Sequence, residues 1–235
     1  MKAVFIADAH LKNPSDKNYK IILDFLENLK DIDLLVILGD LFDFWNGCNK
    51  IAHEHHKPVL DKLLKIKNSG AKIIYLEGNH DFFMGRFFTE ALDADVHSDS
   101  TEITLDGKRI FMAHGDMVNK KDYGYRILRG FLRSWFMRLV FYIVPSIAVW
   151  KIANVMSKGS RTYLVNGFEY EKIFTDYAAE KWKEGYDAVI LGHCHNPKIL
   201  KQDLDGRERF YINPGDWINH FTYVVYENRE FKLNI

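Results

Sequence analysis

The chain predicts an α/β fold: a four-layer α/β/β/α sandwich of two mixed sheets flanked by helices, with a helical lid inserted. Three patterns lead there. Short apolar runs alternate with helical spacing through the first third, as in a parallel sheet with helical crossovers. Hairpins with tight Asp-Gly turns follow in the second half. A segment dense in aromatic residues separates the two.

Residues 2–7 form an apolar run read as a buried strand, and Ile21, Ile22, Phe25, Leu26 and Leu29 space a helix over 18–30. A second strand covers 33–38 and ends at Gly39. A helix over 52–68 stops at Lys67 to Gly70, and a third strand covers 72–76. Residues 101–113 make a hairpin around Asp106 and Gly107, and 187–191 a further buried strand. Hairpins follow over 197–213, turning at Asp205 and Gly206, and over 222–234, turning at Glu227 and Asn228, so that a mixed sheet and a mostly antiparallel one are expected. Residues 122–183 read as the inserted subdomain, leaving 1–121 and 184–235 as the core.

At 235 residues the chain can bury a real core. Lys plus Arg and Asp plus Glu each count 32, so net charge gives no reason to expect nucleic acid. Only Cys48 and Cys194 are present, which suits a reducing cytoplasm, and no signal-peptide pattern precedes the first strand. Residues 139–150 are uncharged up to Lys151, but this run is short of the roughly 20 residues of a membrane span and contains Pro145.

Five short motifs sit at predicted strand ends: Asp8 with His10; Gly39 with Asp40; Gly78, Asn79, His80 and Asp81; His114 with Gly115; and Gly192, His193, Cys194 and His195. In open α/β sheets such ends line one crevice. Any one motif is weak, since a lone buried His is more often a hydrogen-bonded core residue. The ordered set is specific. His, Asp and Asn together form a ligand set for two divalent cations, with Mn2+ the best match and Fe, Zn or Ni allowed. Two cations about 3.5–4 Å apart share a carboxylate and activate water against a phosphate ester; Asp40 is the expected bridge. Cys194 is read as a spacer between ligands.

The set resembles the calcineurin-like metallophosphoesterase superfamily, whose D-x-H, G-D, G-N-H-[DE], H-G and G-H-x-H pattern is matched across about residues 4–215. The resemblance implies one cation on Asp8, His10, Asp40 and His195, and the other on Asp40, Asn79, His114 and His193. It gives His80 contact with the phosphoryl group and proton donation to the leaving oxygen, and Asp81 the orienting of His80. Asp40 to Trp45, Gly78 to Gly85 and His114 to Asp116 also resemble the UDP-2,3-diacylglucosamine pyrophosphohydrolases, which release UMP and lipid X in lipid A synthesis. That narrower likeness implies substrate contacts at Asn79, His80, Asp122, Tyr125, Arg126, Arg129, Ser157 and Arg161. It implies an acylated nucleotide-sugar as substrate, and a peripheral position on the cytoplasmic face of the inner membrane. Those enzymes typically carry Arg where this chain has His80, the general superfamily form.

Alternatives stay open at this level. Trp135, Phe136, Leu139, Phe141 and Tyr142 suit an acyl groove or an interfacial helix, but equally a helical hairpin burying its own core. A generic phosphodiesterase for another lipid-like or nucleotide ester is the runner-up. A non-catalytic scaffold is disfavoured because every metal-type histidine is kept. Trp45 either underlies the site or borders substrate. His53, His55 and His56 are placed on an exposed helix face, His97 and His220 in turns. Oligomeric state is open.

Overall fold

A computed structural model describes residues 1–149 and 167–235. The expected four layers are present. The first sheet has the order β13 (Glu230–Asn234), β12 (Tyr223–Glu227), β1 (Ala3–Ile6), β2 (Leu34–Ile37), β4 (Lys72–Leu76), β6 (Asp95–His97). Its β1, β2, β4 and β6 are parallel, and the β12–β13 hairpin is added antiparallel to β1. The second sheet runs β10 (Lys198–Leu204), β11 (Arg207–Asn213), β9 (Ala188–Leu191), β8 (Lys108–Ala113), β7 (Ser100–Leu105).

That second sheet is more mixed than its hairpins imply. The β7–β8 and β10–β11 hairpins form its edges, and both pair parallel to the central β9. β8 and β9 therefore end on the same side, which brings His114 and the His193–His195 loop together.

Period-two alternation explains the layering. On the first sheet, Val4, Ile6, Leu35, Ile37, Ile73 and Tyr75 face an outer layer of α1 (Lys17–Asn28) and α3 (Lys57–Asn68). Ala3, Phe5, Leu34, Val36, Ile74 and Leu76 face inward against Ile110, Met112, Ala188, Ile190 and Ile212 of the second sheet. The second sheet's outer positions, Phe111, Ala113, Val189, Leu191 and Tyr211, are covered by the helix Gly167–Lys183 through Phe174, Ala178 and Trp182.

The span expected to be a lid therefore divides. Gly167–Lys183 supplies the fourth layer of the core. Residues 150–166 lie outside the described residues. The projecting part is α4 (Tyr123–Leu132) and α5 (Trp135–Ile143), with N-caps from the side chains of Asp122, accepting from Tyr125 N at 2.9 Å, and Ser134, accepting from Met137 N at 3.2 Å. The helix Gly167–Lys183 is hereafter α6.

The helix expected over 52–68 is also two. α2 (Lys50–His55) ends at His56, and Pro58 opens α3. The break turns His56 inward. It is fully buried beside Phe42, Trp45 and Tyr19, not on an exposed face. Burial, then the neighbouring His55, pushes its pKa down to about 3, so it stays neutral. Trp45 is likewise a core residue, stacked on Phe42 and donating its indole N–H to the Met84 carbonyl at 3.1 Å. Among the described residues no helix is long and apolar enough to cross a membrane.

Candidate metal centre

Strand ends β1, β2, β4, β8 and β9 deliver the motif residues to one place. Five of them leave their strands through left-handed backbone: Asp8 (φ +55°), His10 (+44°), Asp40 (+52°), His193 (+66°) and His195 (+52°). Each such residue costs on the order of 1 kcal/mol, and clusters of them mark sites where side-chain direction matters more than relaxed backbone. Crowding is severe at two glycines. A Cβ on Gly39 would lie 2.7 Å from His114 Nδ1, and one on Gly78 would run into the Asp40 carboxylate.

Among the described residues three groups of potential ligand atoms result; one is His10, Asp43 and His80, and the other two hold the sequence-predicted ligands. In the first, Asp8, His10 and His195 converge: His10 Nε2 and His195 Nε2 are 3.2 Å apart, and Asp8 Oδ1 is 3.4 Å from His195 Nε2 and 3.9 Å from His10 Nε2. In the second, Asp40, His114 and His193 converge, with Asn79 Oδ1 3.1 Å from His114 Nε2. Asp40 lies between the two: its Oδ2 is 3.7 Å from His10 Nε2 and 3.5 Å from His114 Nε2. The sequence-predicted ligands Asp8, His10, Asp40, Asn79, His114, His193 and His195 are thus all brought together.

The donor set fits a cation pair on two counts. Asp8 Oδ1 is buried and accepts no hydrogen bond among the described residues, though it faces two imidazoles. Such an oxygen is costly unless a cation or proton meets it. His114 Nδ1 lies 2.7 Å from the Leu38 carbonyl, which can only accept. The Nδ1 proton is thereby fixed and Nε2 is turned to the centre, the usual support of a metal-binding imidazole.

The buried carboxylates and imidazoles shift one another's protonation. Burial favours the neutral Asp8 carboxyl, but His195, with His114 and His193, holds it below the ordinary carboxylate range. Burial pushes Asp40 upward, only partly offset by His114 and His80. Burial opposes a charge on His114, yet Asp40 and Asp8 raise it to about 9. A cation arriving at Nε2 must displace that proton. We therefore expect Mn2+ loading at pH 7.5 to release about one proton per chain from His114, and apparent affinity to rise roughly tenfold per pH unit from about 6.5 to 8 and level off above about 9, where the competing proton is lost. Titration calorimetry in buffers of different ionisation enthalpy measures both; loading without proton release would contradict this reading.

The role expected for Asp81 is corrected. Its buried carboxylate accepts from the backbone N–H groups of Asp40 (3.0 Å), Leu41 (2.7 Å), Phe42 (3.4 Å) and Gly78 (2.8 Å), and from the Tyr75 hydroxyl (2.5 Å). It ties the Asp40 loop to the Asn79 loop. His80 is instead oriented by Asp43, whose carbonyl oxygen lies 2.9 Å from Nδ1, and its ring meets His10 edge-on at 4.9 Å.

The expected substrate contacts lie at the root of the helical pair. Tyr125 donates its hydroxyl to Asp116, as does Arg129 Nε at 2.7 Å; Arg129 also reaches Asp99 at 2.9 Å and the Ser98 carbonyl at 2.8 Å. Asp122 caps α4, and Arg126 donates to the Met117 carbonyl at 3.1 Å. Ser157 and Arg161 lie outside the described residues. Three carboxylates have roles that the sequence reading does not assign. Asp116 anchors α4 beside His114. Glu77 takes Arg133 at 2.7 Å, next to Gly78, whose carbonyl accepts from the same arginine at 2.8 Å. Asp216 sits 3.8 Å from His195 Nδ1. Cys194 is the expected spacer: its Sγ turns to Asn213 Nδ2 (3.1 Å), and burial raises its thiol to about 11.

The model of the calcineurin-like phosphoesterase superfamily domain matches residues 1–130. The chain belongs to this superfamily. The phosphoesterase has near-full-length relatives named UDP-2,3-diacylglucosamine hydrolase. That of Aeromonas salmonicida is 30% identical over 236 residues, covering 99% of this chain and 92% of the relative. That of Haemophilus influenzae is 30% identical over 224 residues, covering 94% and 92%. That of Pseudomonas putida is 28% identical over 240 residues, covering 98% and 97%. The phosphoesterase is accordingly a metal-dependent hydrolase of phosphate esters, and the two ligand groups joined at Asp40 are its candidate dinuclear site.

Proposed function

We propose that this phosphoesterase hydrolyses the pyrophosphate of UDP-2,3-diacylglucosamine to UMP and lipid X. The observation that carries this reading is an exposed apolar helical pair rooted beside the metal centre. Ile127, Trp135, Tyr142 and Ile143 are each 69–80% exposed, with Phe131, Phe136 and Leu139 near half. Monomer surfaces rarely expose so many large apolar side chains on two consecutive helices without a ligand or partner for them. Its root is pinned by Arg129 to Asp116 and by Arg133 to Glu77, two carboxylates flanking the His114 and Asn79 loops. Acyl chains lying on this face keep a polar headgroup within reach of the centre. The names of the relatives support the same substrate.

We assign one cation, Mn2+ by the mixed nitrogen and oxygen ligation, to Asp8, His10, His195 and Asp40, and the other to Asp40, Asn79, His114 and His193. When bound, the pair lowers the pKa of a water and offsets charge on the phosphoryl oxygens. Asn79 contributes a neutral oxygen, so the centre still accepts a dianionic substrate. Asp81 holds the Asp40 and Asn79 loops in register. His80, with Nδ1–H donating to the Asp43 carbonyl, presents Nε2 to the phosphoryl group and delivers a proton to the departing oxygen. Water adds to one phosphorus, the bond to the bridging oxygen breaks, and two phosphate monoesters leave. The exposed apolar face also gives the chain a peripheral contact with a lipid surface.

The Mn2+-loaded chain should release UMP from UDP-2,3-diacylglucosamine in detergent. Absence of UMP, alongside turnover of bis(p-nitrophenyl) phosphate, would favour the generic phosphodiesterase. Trp135→Ala combined with Phe136→Ala should lower kcat/KM for the acylated substrate about thirtyfold, since each ring contributes roughly 1 kcal/mol of contact. The soluble diester should change less than twofold; equal losses would remove the acyl-groove role.

A further inference from the structure

A cleft of about 420 Å³ opens between the β1–α1 loop and the segment preceding β12. That size lies within the ~300–1,000 Å³ of small-molecule sites. His10 forms part of its lining, so the cleft adjoins the candidate metal centre. Lys12 and Lys17 border it, with Asp16, Asn18, Asn219 and Phe221; Lys12 Nζ also lies 3.9 Å from Asp43, and the Asn18 amide donates to the Ala9 carbonyl at 2.8 Å. Cations suit a phosphate, a ring suits a base, and a carboxylate beside amides suits ribose hydroxyls and a base edge. A bare phosphate would have no use for Asp16 or Phe221.

The cleft wall is held in register with the ligands. Buried Asp216 Oδ1 accepts from the backbone N–H of Ile218 (2.7 Å), Asn219 (2.6 Å) and His220 (3.4 Å), while Oδ2 takes His220 Nδ1 at 2.6 Å and faces His195. Trp217 N donates to the Asp8 carbonyl at 3.2 Å. One carboxylate thus fixes the wall and supports a ligand histidine. Phe221 has φ +55°, a conformation that costs a bulky residue about 1–3 kcal/mol. Its ring packs on the core, with Lys17 Nζ 5.2 Å from the centroid. The surroundings over-determine this strained placement.

The cleft and the helical pair serve different ligand groups. The helices are rooted at residues flanking His114 and Asn79, whereas the cleft meets His10. A pyrophosphate with a lipid on one side and a nucleoside on the other spans the two groups in that sense. We propose that the cleft is the nucleotide subsite, taking the UMP half of the substrate, with Lys12 and Lys17 toward phosphate and ribose and Phe221 against the nucleoside. This rests on the substrate reading above.

The test uses UMP as probe on the Mn2+-loaded full chain, by titration calorimetry, for wild type, Phe221→Ala and the exposed-site variant Lys17→Ala. UMP affinity should fall about tenfold in each variant. The ratio of kcat/KM for UDP-2,3-diacylglucosamine to that for bis(p-nitrophenyl) phosphate should fall by a similar factor, through KM. No UMP binding by wild type, unchanged affinity in both variants, or equal losses on both substrates would overturn the subsite while leaving the hydrolase reading standing. Variant-sensitive UMP binding by a protein that leaves UDP-2,3-diacylglucosamine intact would support the cleft as a nucleotide site and remove the substrate reading instead.

Discussion

Asp40→Asn should lower turnover by about 10³-fold at saturating Mn2+, the loss of roughly 4 kcal/mol of transition-state stabilisation. The change is nearly isosteric, so its effect isolates charge. Asp40 Oδ2 faces both His10 and His114, and an amide cannot bridge two cations as a carboxylate does. Bound metal, measured by elemental analysis after gel filtration, should fall from two per chain toward one or none. The folded protein should survive, because burial already disfavours the Asp40 charge in the metal-free state. A thermal midpoint of the metal-free variant within a few degrees of wild type would confirm that. The same substitution removes the carboxylate that does most to raise His114, so proton release on Mn2+ loading should shrink as well. Near-normal turnover with two metals bound would remove Asp40 from the bridging position.

The ligands were legible because the chemistry leaves short, local marks. A turn that aims two side chains inward needs Asp8 and His10 at alternate positions, and apolar runs such as 33–38 announce the strands that carry them. What supports the ligands is written at long range. Asp216 meets His195, and Asp116 meets Arg129 across a turn and a helix; neither pairing has a local pattern. The two-residue strands β3 (Trp45–Asn46) and β5 (Asp81–Phe82) are too short for any periodicity to register, yet their pairing sets Asp81 under the Asp40 loop. Other misses had visible signals. Pro58 marks the break that buries His56, and Phe174, Ala178 and Trp182 recur at helical spacing, the stripe of a core-facing helix rather than a lid. Asp81 was misassigned because its neighbour in sequence, His80, is not its neighbour in hydrogen bonding.

That distinction predicts a large effect at Asp81. Asp81→Ala should lower the stability of the metal-free chain by about 4 kcal/mol, since four backbone N–H groups and the Tyr75 hydroxyl lose a buried acceptor, and each orphaned donor costs about 1–3 kcal/mol without full additivity. For a chain of this size the thermal midpoint should drop by roughly 8–16 °C. Tyr75 sharpens the point. Burial, with Asp81 beside it, holds its hydroxyl well above the ordinary tyrosine range, so it remains a buried donor. The damage should spread along the loops Asp81 joins: amide exchange at Asp40, Leu41 and Gly78 should accelerate while β9 and β11 stay protected. Were Asp81 an orienting group for His80 alone, Asp81→Ala would leave the midpoint unchanged and lower only kcat, as His80→Ala should. The two outcomes separate cleanly in one melting curve. The geometry favours the first, because every Asp81 contact named here runs to the backbone that carries Asp40 and Asn79 or to the core beneath it.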